Sequence, residues 1–209
     1  MSTRIAKSPP VMRKEPRQAR SKATVEAVIE AGARILSDQG WAEFTTNKVA
    51  DAAGVSVGSL YQYFPDKLSL IEAIRRRHLD DCLAVMRKSW KEGLPVALFV
   101  EGLVRDMIAA HSIHPGLHRV LIDEAPSFHA SKDPHSAFET EYLGYYARAV
   151  ASYRKHETDA ANHTVALIIS DAIDGVIHNA ARRGMLAEPQ VKDQLVRMIG
   201  LYLGEAATA

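Results

Sequence analysis

Residues 45–67 read TTNKVADAAGVSVGSLYQYFPDK, and the fold turns on this stretch. Thr45 and Thr46 carry hydroxyls that can accept a backbone N–H at a helix start, and Val49, Ala50 and Ala53 follow at helical spacing. Gly54 stands where that helix must stop, because a residue without Cβ takes a positive φ at no steric cost. Ser56 caps a second helix, in which Leu60 and Phe64 share one face while Val57, Ser59, Tyr61, Gln62 and Tyr63 point elsewhere. Pro65 ends this helix and Asp66 caps the next, so the presented face belongs to a segment of only about two turns. A segment that short is held by its neighbours and serves as a probe. Ala50 lets the paired helices cross closely and Gly54 sets the angle, the pattern of a helix-turn-helix whose second helix enters the major groove of DNA.

Thr46, Val49, Ala50, Ala53-Gly54-Val55-Ser56, Gly58, Leu60-Tyr61, Tyr63-Phe64, Lys67 and Leu70 together resemble the N-terminal DNA-binding domain of the TetR family of transcriptional repressors. The resemblance is close over residues 21–74 and beyond them extends only to length and an all-helical pattern. It implies an all-α fold in which 21–66 are the helix-turn-helix domain and 67–209 a helical effector-binding and dimerisation domain, while residues 1–20, basic and with three prolines and almost no aromatic or branched residues, read by composition as a disordered arm. The implied function is that of a repressor released from a palindromic double-stranded DNA operator by a small, mostly apolar molecule.

By the same resemblance, Thr46 and Asn47 touch DNA from the start of the first helix of the pair, with Lys48 nearby. Tyr61 and Tyr63 offer hydroxyls to phosphate and Lys67 adds a charge, contacts that position a protein without carrying sequence information. Base reading falls to the residues behind the Ser56 cap: Val57 against a thymine methyl, Gly58, Ser59, and Gln62 against adenine. The recognition helix holds no Lys or Arg, so the bidentate guanine contact is absent from it and DNA shape or the arm supplies part of the specificity.

Charge is distributed to match. The chain of 209 residues is 47% apolar and 24% charged with net charge +1, a composition for a soluble globular protein with one large core or two small ones. Residues 1–80 hold 13 Lys and Arg against 9 Asp and Glu, whereas residues 81–209 hold 13 against 16, so the basic excess lies at the helix-turn-helix end. Arg4, Lys7, Arg13, Lys14, Arg17 and Arg20 crowd the first 20 residues, either as a solvated tail or as an arm reaching phosphates or a minor groove. Cys82 is the sole cysteine, the start lacks an apolar signal core, and no run of 18 apolar residues exists to span a membrane, so a cytoplasmic protein is expected.

Other helices follow from spacing. Val25, Val28, Ile29, Gly32, Ile35 and Leu36 form the buried stripe of a first helix from Ser21 to Gly40, with Trp41 expected to fold back on Leu36. A long helix from Asp66 toward Trp90 leaves the DNA domain, and Arg75, Arg76 and Arg77 on it read as a solvated face. Helices are further expected at 95–111, 116–124, 135–156, 159–183 and 189–203, with 127–134 a loop. Phe138, Tyr142, Tyr145, Tyr146 and Tyr153 stripe the helix at 135–156. The family's pockets lie against that helix, which makes Met107, His111, Leu117, Leu121, Phe128, Tyr142 and Tyr146 the expected effector pocket. The family also pairs its last two helices with the partner's, so a homodimer is implied, with Val165, Ile169, Ala172, Val176, Leu195, Met198, Ile199 and Tyr202 at the seam. Its two-fold axis implies half-sites about 34–36 Å apart or a multiple of that.

Other chemistry is weakly signalled. His111, His114 and His118 with Asp123 and Glu124 invite a metal reading, but Pro115 interrupts their helix, and the expectation is no metal, no cofactor and no catalytic residue. Asp171, Asp174 and His178 recur at i, i+3 and i+7 and are expected at the dimer seam or in water. No nucleophile elbow or phosphate loop is present, which leaves a DNA-binding regulator as the expected class, with two rivals: a regulator of the same fold without a small-molecule inducer, and a metal-dependent enzyme using the His111 cluster.

Overall fold

The computed structural model describes residues 12–14, 16–124, 137–155 and 157–204. The chain divides into two compact units, Met1–Arg77 and His78–Ala209. Every element among the described residues is helical, so the all-α expectation holds.

In the first unit α1 (Ala19–Glu43) is the platform, burying Val25, Val28, Ile29, Ile35 and Leu36. Gly40, at φ 77°, breaks its last turn, and the Trp41 ring then stacks beside Phe44 with centres 6.1 Å apart, a pairing the expected fold-back onto Leu36 did not include. Helices α2 (Thr46–Ala52) and α3 (Val57–Tyr63) are each capped as their sequence dictates. The Thr45 hydroxyl accepts the Lys48 N–H and the Ser56 hydroxyl accepts the Ser59 N–H. Gly54 has φ 67°, and the Val55 N–H donates back to the Ala50 carbonyl at 3.0 Å, which fixes the corner between the helices. Val49, Leu60 and Phe64 are fully buried beneath this corner with Phe44 and Ile74. Helix α4 (Lys67–Ser89) begins at a reciprocal cap, the Ser69 N–H to Asp66 at 2.7 Å and the Asp66 N–H to the Ser69 hydroxyl at 3.2 Å. A Cβ on Gly32 would come to 2.7 Å from Ile74 Cδ1, so any larger residue there would have to push the buried Ile74 side chain of α4 aside. Arg77 pairs with Glu30 at 2.9 Å and Arg75 with Glu72, so two of the three arginines expected in water are fastened to the unit.

The second unit takes the remainder of α4 with α5 (Val96–Ser112), α6 (Leu117–Arg119) running into a π-helical turn at Val120–Glu124, α7 (Ala137–Tyr153), α8 (Asp159–Arg182) and α9 (Pro189–Gly204). Helix α7 packs on α8 and α5 on α9. One core runs through Met86, Phe99, Leu103, Met107, Tyr146, Ile169, Ile173, Leu195 and Ile199. Helix α8 is long and apolar enough to cross a bilayer by composition, yet Val165, Ala166, Ile169, Ile173 and Ile177 on it are buried in that core.

Candidate nucleic-acid interface and effector site

The recognition helix α3 is anchored on one side and open on the other. Leu60 is fully buried, while Gly58, Tyr61 and Gln62 are exposed, Tyr61 to 41%. Val57 and Ser59 are half-buried at the edge of that face, and the Ser59 hydroxyl lies 2.8 Å from the Ser56 hydroxyl. From α2, Asn47 and Lys48 are exposed and Thr46 is half-buried, its hydroxyl 3.0 Å from that of Tyr61. The two helices thus meet at a pair of hydroxyls on the presented side. Lys48 forms an ion pair with Glu43 that holds the Glu43 carboxyl below its usual range, first through the hydrogen bond and then through charge.

Tyr63 and Lys67 are placed differently from the phosphate contacts expected of them. Tyr63 is only 9% exposed, standing three residues, about one helical turn, beyond the fully buried Leu60 and so on the same anchored side of α3. The Lys67 ammonium sits 3.4 Å above the Trp41 ring centre and donates to the Trp41 carbonyl at 3.2 Å, and burial lowers its pKa. It is a fastening of α4 to the Gly40 corner rather than a free cation.

Cations reach the reading face from the segment before α1 instead. The Arg13 N–H donates to the Tyr63 carbonyl at 2.8 Å, one of the carbonyls that the end of α3 leaves without a helical partner. Arg13 and Lys14 consequently line a shallow groove with Gly58, Tyr61 and Gln62. The basic run was visible in the sequence, but nothing in it signalled that backbone hydrogen bond. Residues 1–11 lie outside the described residues.

In the second unit Met107, His111, Leu117, Leu121, Tyr142 and Tyr146 are all buried, and Phe128 lies outside the described residues. This interior is more polar than expected. Nδ1 of His111 lies 2.9 Å from the Met107 carbonyl, and since a carbonyl only accepts, the imidazole carries its N–H there. Burial lowers the His111 pKa, which keeps the ring neutral. The Tyr142 hydroxyl donates to Asp174 at 3.4 Å, and burial pushes both Tyr142 and Tyr146 well above the usual phenol range, with neighbouring charge adding to it. Burial likewise raises the Cys82 thiol, which stays protonated and unreactive. Asp174 and His178, expected at the seam or in water, turn inward: His178 Nε2 lies 3.0 Å from His111 Nε2, whereas Asp171 is exposed. The expectation failed because α8 is apolar on two sides, and spacing alone does not say which side faces in.

The same ambiguity affects the residues expected at the dimer seam. Val165, Ile169, Leu195 and Ile199 are buried in the protomer's own core, and Ala172 and Val176 are half-buried at its rim. Met198 at 44% and Tyr202 at 36% are exposed, together with Leu167, Ile168 and Leu201, which reaches 52%. An apolar face therefore does exist on α8 and α9, one step around each helix from most of the residues expected there. Between them runs a groove lined by Ala172, Gly175, Val176, Asn179 and Val191.

Comparison with known proteins matches residues 28–74 to the family model described as bacterial regulatory proteins, tetR family, and residues 95–203 to the tetracyclin repressor-like C-terminal domain. The chain belongs to the TetR family. Relatives of this TetR-family chain include nucleoid occlusion factor SlmA from Haemophilus ducreyi, 33% identical over 96 residues covering 46% of this chain and 48% of that one. HTH-type transcriptional repressor KstR2 from Rhodococcus jostii is 34% identical over 77 residues, 37% of this chain and 38% of that one. The chain thus spans about half the length, or less, of these curated relatives. Among solved structures, a TetR transcription regulator from Haloarcula marismortui superposes with a TM-score of 0.72 at 15% identity, covering 88% of this chain and 98% of that one. A transcriptional regulator from Rhodococcus sp. Rha1 gives 0.69 at 19% identity with the same coverage of 88% and 98%. At such identities they speak for the fold alone. The TetR-family match makes this protein a DNA-binding transcriptional regulator. It leaves Arg13, Lys14 and His78 outside both matched segments, so those positions are to be understood from this chain's own geometry.

Proposed function

We propose that this protein is a ligand-responsive, non-enzymatic repressor that binds a palindromic operator as a homodimer and leaves it when an effector enters the C-terminal unit. The observation that carries the DNA half is the composition of one surface: Gly58, Tyr61 and Gln62 of α3 exposed beside Arg13 and Lys14, above a buried anchor of Leu60 and Phe64. Thr46, Asn47, Lys48, Tyr61 and the two cations position the phosphates. Val57, Gly58, Ser59 and Gln62 meet base edges behind the Ser56 cap. The exposed apolar face of α8 and α9 supports a homodimer, since a patch of that kind on a soluble protein marks an interaction surface. The name of KstR2 favours repression as the sign of the effect. Met107, His111, Leu117, Leu121, Tyr142 and Tyr146 wall the effector site, and the imidazole, phenol and carboxylate groups there favour a ligand with polar groups. The test is selection of bound sequences from a random duplex pool, repeated with Tyr61→Ala and Arg13→Ala proteins. A palindrome whose binding both substitutions weaken is the expected result. No enrichment at low salt would sink the DNA half.

A further inference from the structure

Four imidazoles converge inside the second unit from four helices: His78 on α4, His111 on α5, His118 on α6 and His178 on α8. The candidate ligand nitrogens of His78, His111 and His118 all lie within 4.8 Å of one another, and His118 Nδ1 is 3.3 Å from His78 Nε2. The ring centres of these three are 4.9, 5.5 and 5.8 Å apart. An imidazole nitrogen sits about 2.0–2.1 Å from a zinc ion, so two such nitrogens on a tetrahedral ion are about 3.3 Å apart and their ring centres about 5 Å. The three rings already hold close to that spacing.

We propose that His78, His111 and His118 form a binding site for a divalent first-row transition ion, with Zn2+ as the type. An all-imidazole donor set suits zinc, cobalt, nickel or copper and disfavours magnesium and calcium, which seek oxygen. His111 is prepared for the role. Its Nδ1–H donates to the Met107 carbonyl, which fixes ring and tautomer and leaves the Nε2 lone pair facing the cluster. His178 is not a fourth ligand in this arrangement. It stacks on His118 with centres 3.2 Å and planes 18° apart, so the in-plane lone pairs of the two rings run side by side instead of converging. Its Nε2–H donates to the His111 lone pair at 3.0 Å, and an entering ion replaces that N–H. The fourth position falls to water or to a donor atom of a second ligand.

The site brings His78 of α4 against His111 and His118, which lie more than thirty residues further along the chain, and His78 is the first residue of the second unit, on the helix whose first turns belong to the DNA-binding unit. An ion that ties His78 to α5 and α6 therefore fixes the stretch of α4 that enters the second unit. That regulatory consequence rests on the ligand-responsive reading above; ion binding itself does not.

The experiment uses full-length protein stripped with a chelator and titrated with Co2+, followed by visible absorption. A saturable, stoichiometric ligand-field band that Zn2+ bleaches is expected. It is lost in His78→Gln and His118→Gln, both at half-buried positions, and kept in His163→Gln, which alters an exposed histidine on α8. Far-ultraviolet circular dichroism checks that each variant is folded. Absence of the band in folded wild-type protein, or its survival in both ligand variants, overturns the site and leaves the repressor reading intact. Operator affinity is then measured with the site filled and stripped. A change of about tenfold supports the ion as effector. Equal affinities, with the cobalt band present, remove the ion as effector.

Discussion

Gly58 lies on the exposed face of a helix where a Cβ would meet nothing nearer than the Ser56 hydroxyl at 3.9 Å. Gly58→Ala is therefore expected to raise the stability of the folded protein by about 0.5–1 kcal/mol through helix propensity, while weakening operator binding because the added methyl stands between α3 and the base edges. Urea denaturation and fluorescence anisotropy read these opposite signs, and an unchanged affinity would take Gly58 out of the interface. Two lysine or arginine positions separate structure from recognition in the same way. Arg13→Ala should leave stability unchanged and lower the slope of log affinity against log salt by about 1, the signature of one lost phosphate contact. Lys67→Met should leave that slope unchanged and destabilise the fold by about 1–2 kcal/mol. It removes a cation 3.4 Å above the Trp41 ring and a hydrogen bond to the Trp41 carbonyl.

Helices α8 and α9 each carry apolar residues on two faces, and the inward and outward sets predict different failures. Leu195→Ala opens a cavity in the protomer's core and is expected to cost about 2–5 kcal/mol. Leu201→Glu changes a residue 52% exposed, so the protomer should keep its stability to within about 0.5 kcal/mol while sedimentation shows monomers. A dimer unaffected by Leu201→Glu would place the interface elsewhere. This division marks how far the sequence could be read. The helix-turn-helix was legible in its caps, corner and anchors because these determinants are local: caps at Thr45 and Ser56, a positive φ at Gly54, anchors four apart at Leu60 and Phe64; Tyr63, expected on the presented face, is buried instead. The exposed apolar surface on α8 and α9 was legible as to helix but not as to face, since Ile169 and Ile168 look alike in a chain apolar on both sides and only the packing of α7 against α8 decides which is buried. The imidazole cluster was half visible. His111 and His118 stand close in sequence, whereas His78 and His178 join them through tertiary packing alone. Lys67 misled because a cation beside a recognition helix usually has no better partner, and here an indole and a carbonyl at the Gly40 corner supply one.

At the scale of the whole molecule, a repressor works only if effector and operator select different states of one dimer. The proposed operator and effector sites lie in separate units, so their communication would have to be carried by a shared two-state element and to appear as a coupling free energy. Helix α4 is the one covalent candidate among the described helices, running from Lys67 in the first unit to Ser89 in the second. Linkage then fixes a relation that no single affinity reveals. If a saturating effector weakens operator binding by some factor, commonly about 5–150-fold, operator DNA must weaken effector binding by the same factor. The expected outcome is equality of the two ratios, measured by anisotropy of labelled operator with and without effector, and by calorimetric titration of effector with and without operator. Unequal ratios would mean that the oligomeric state or binding stoichiometry changes between the two titrations. Two ratios of one, in a protein that binds both partners, would mean that the interior site around His111 serves stability and that the proposed release mechanism is wrong.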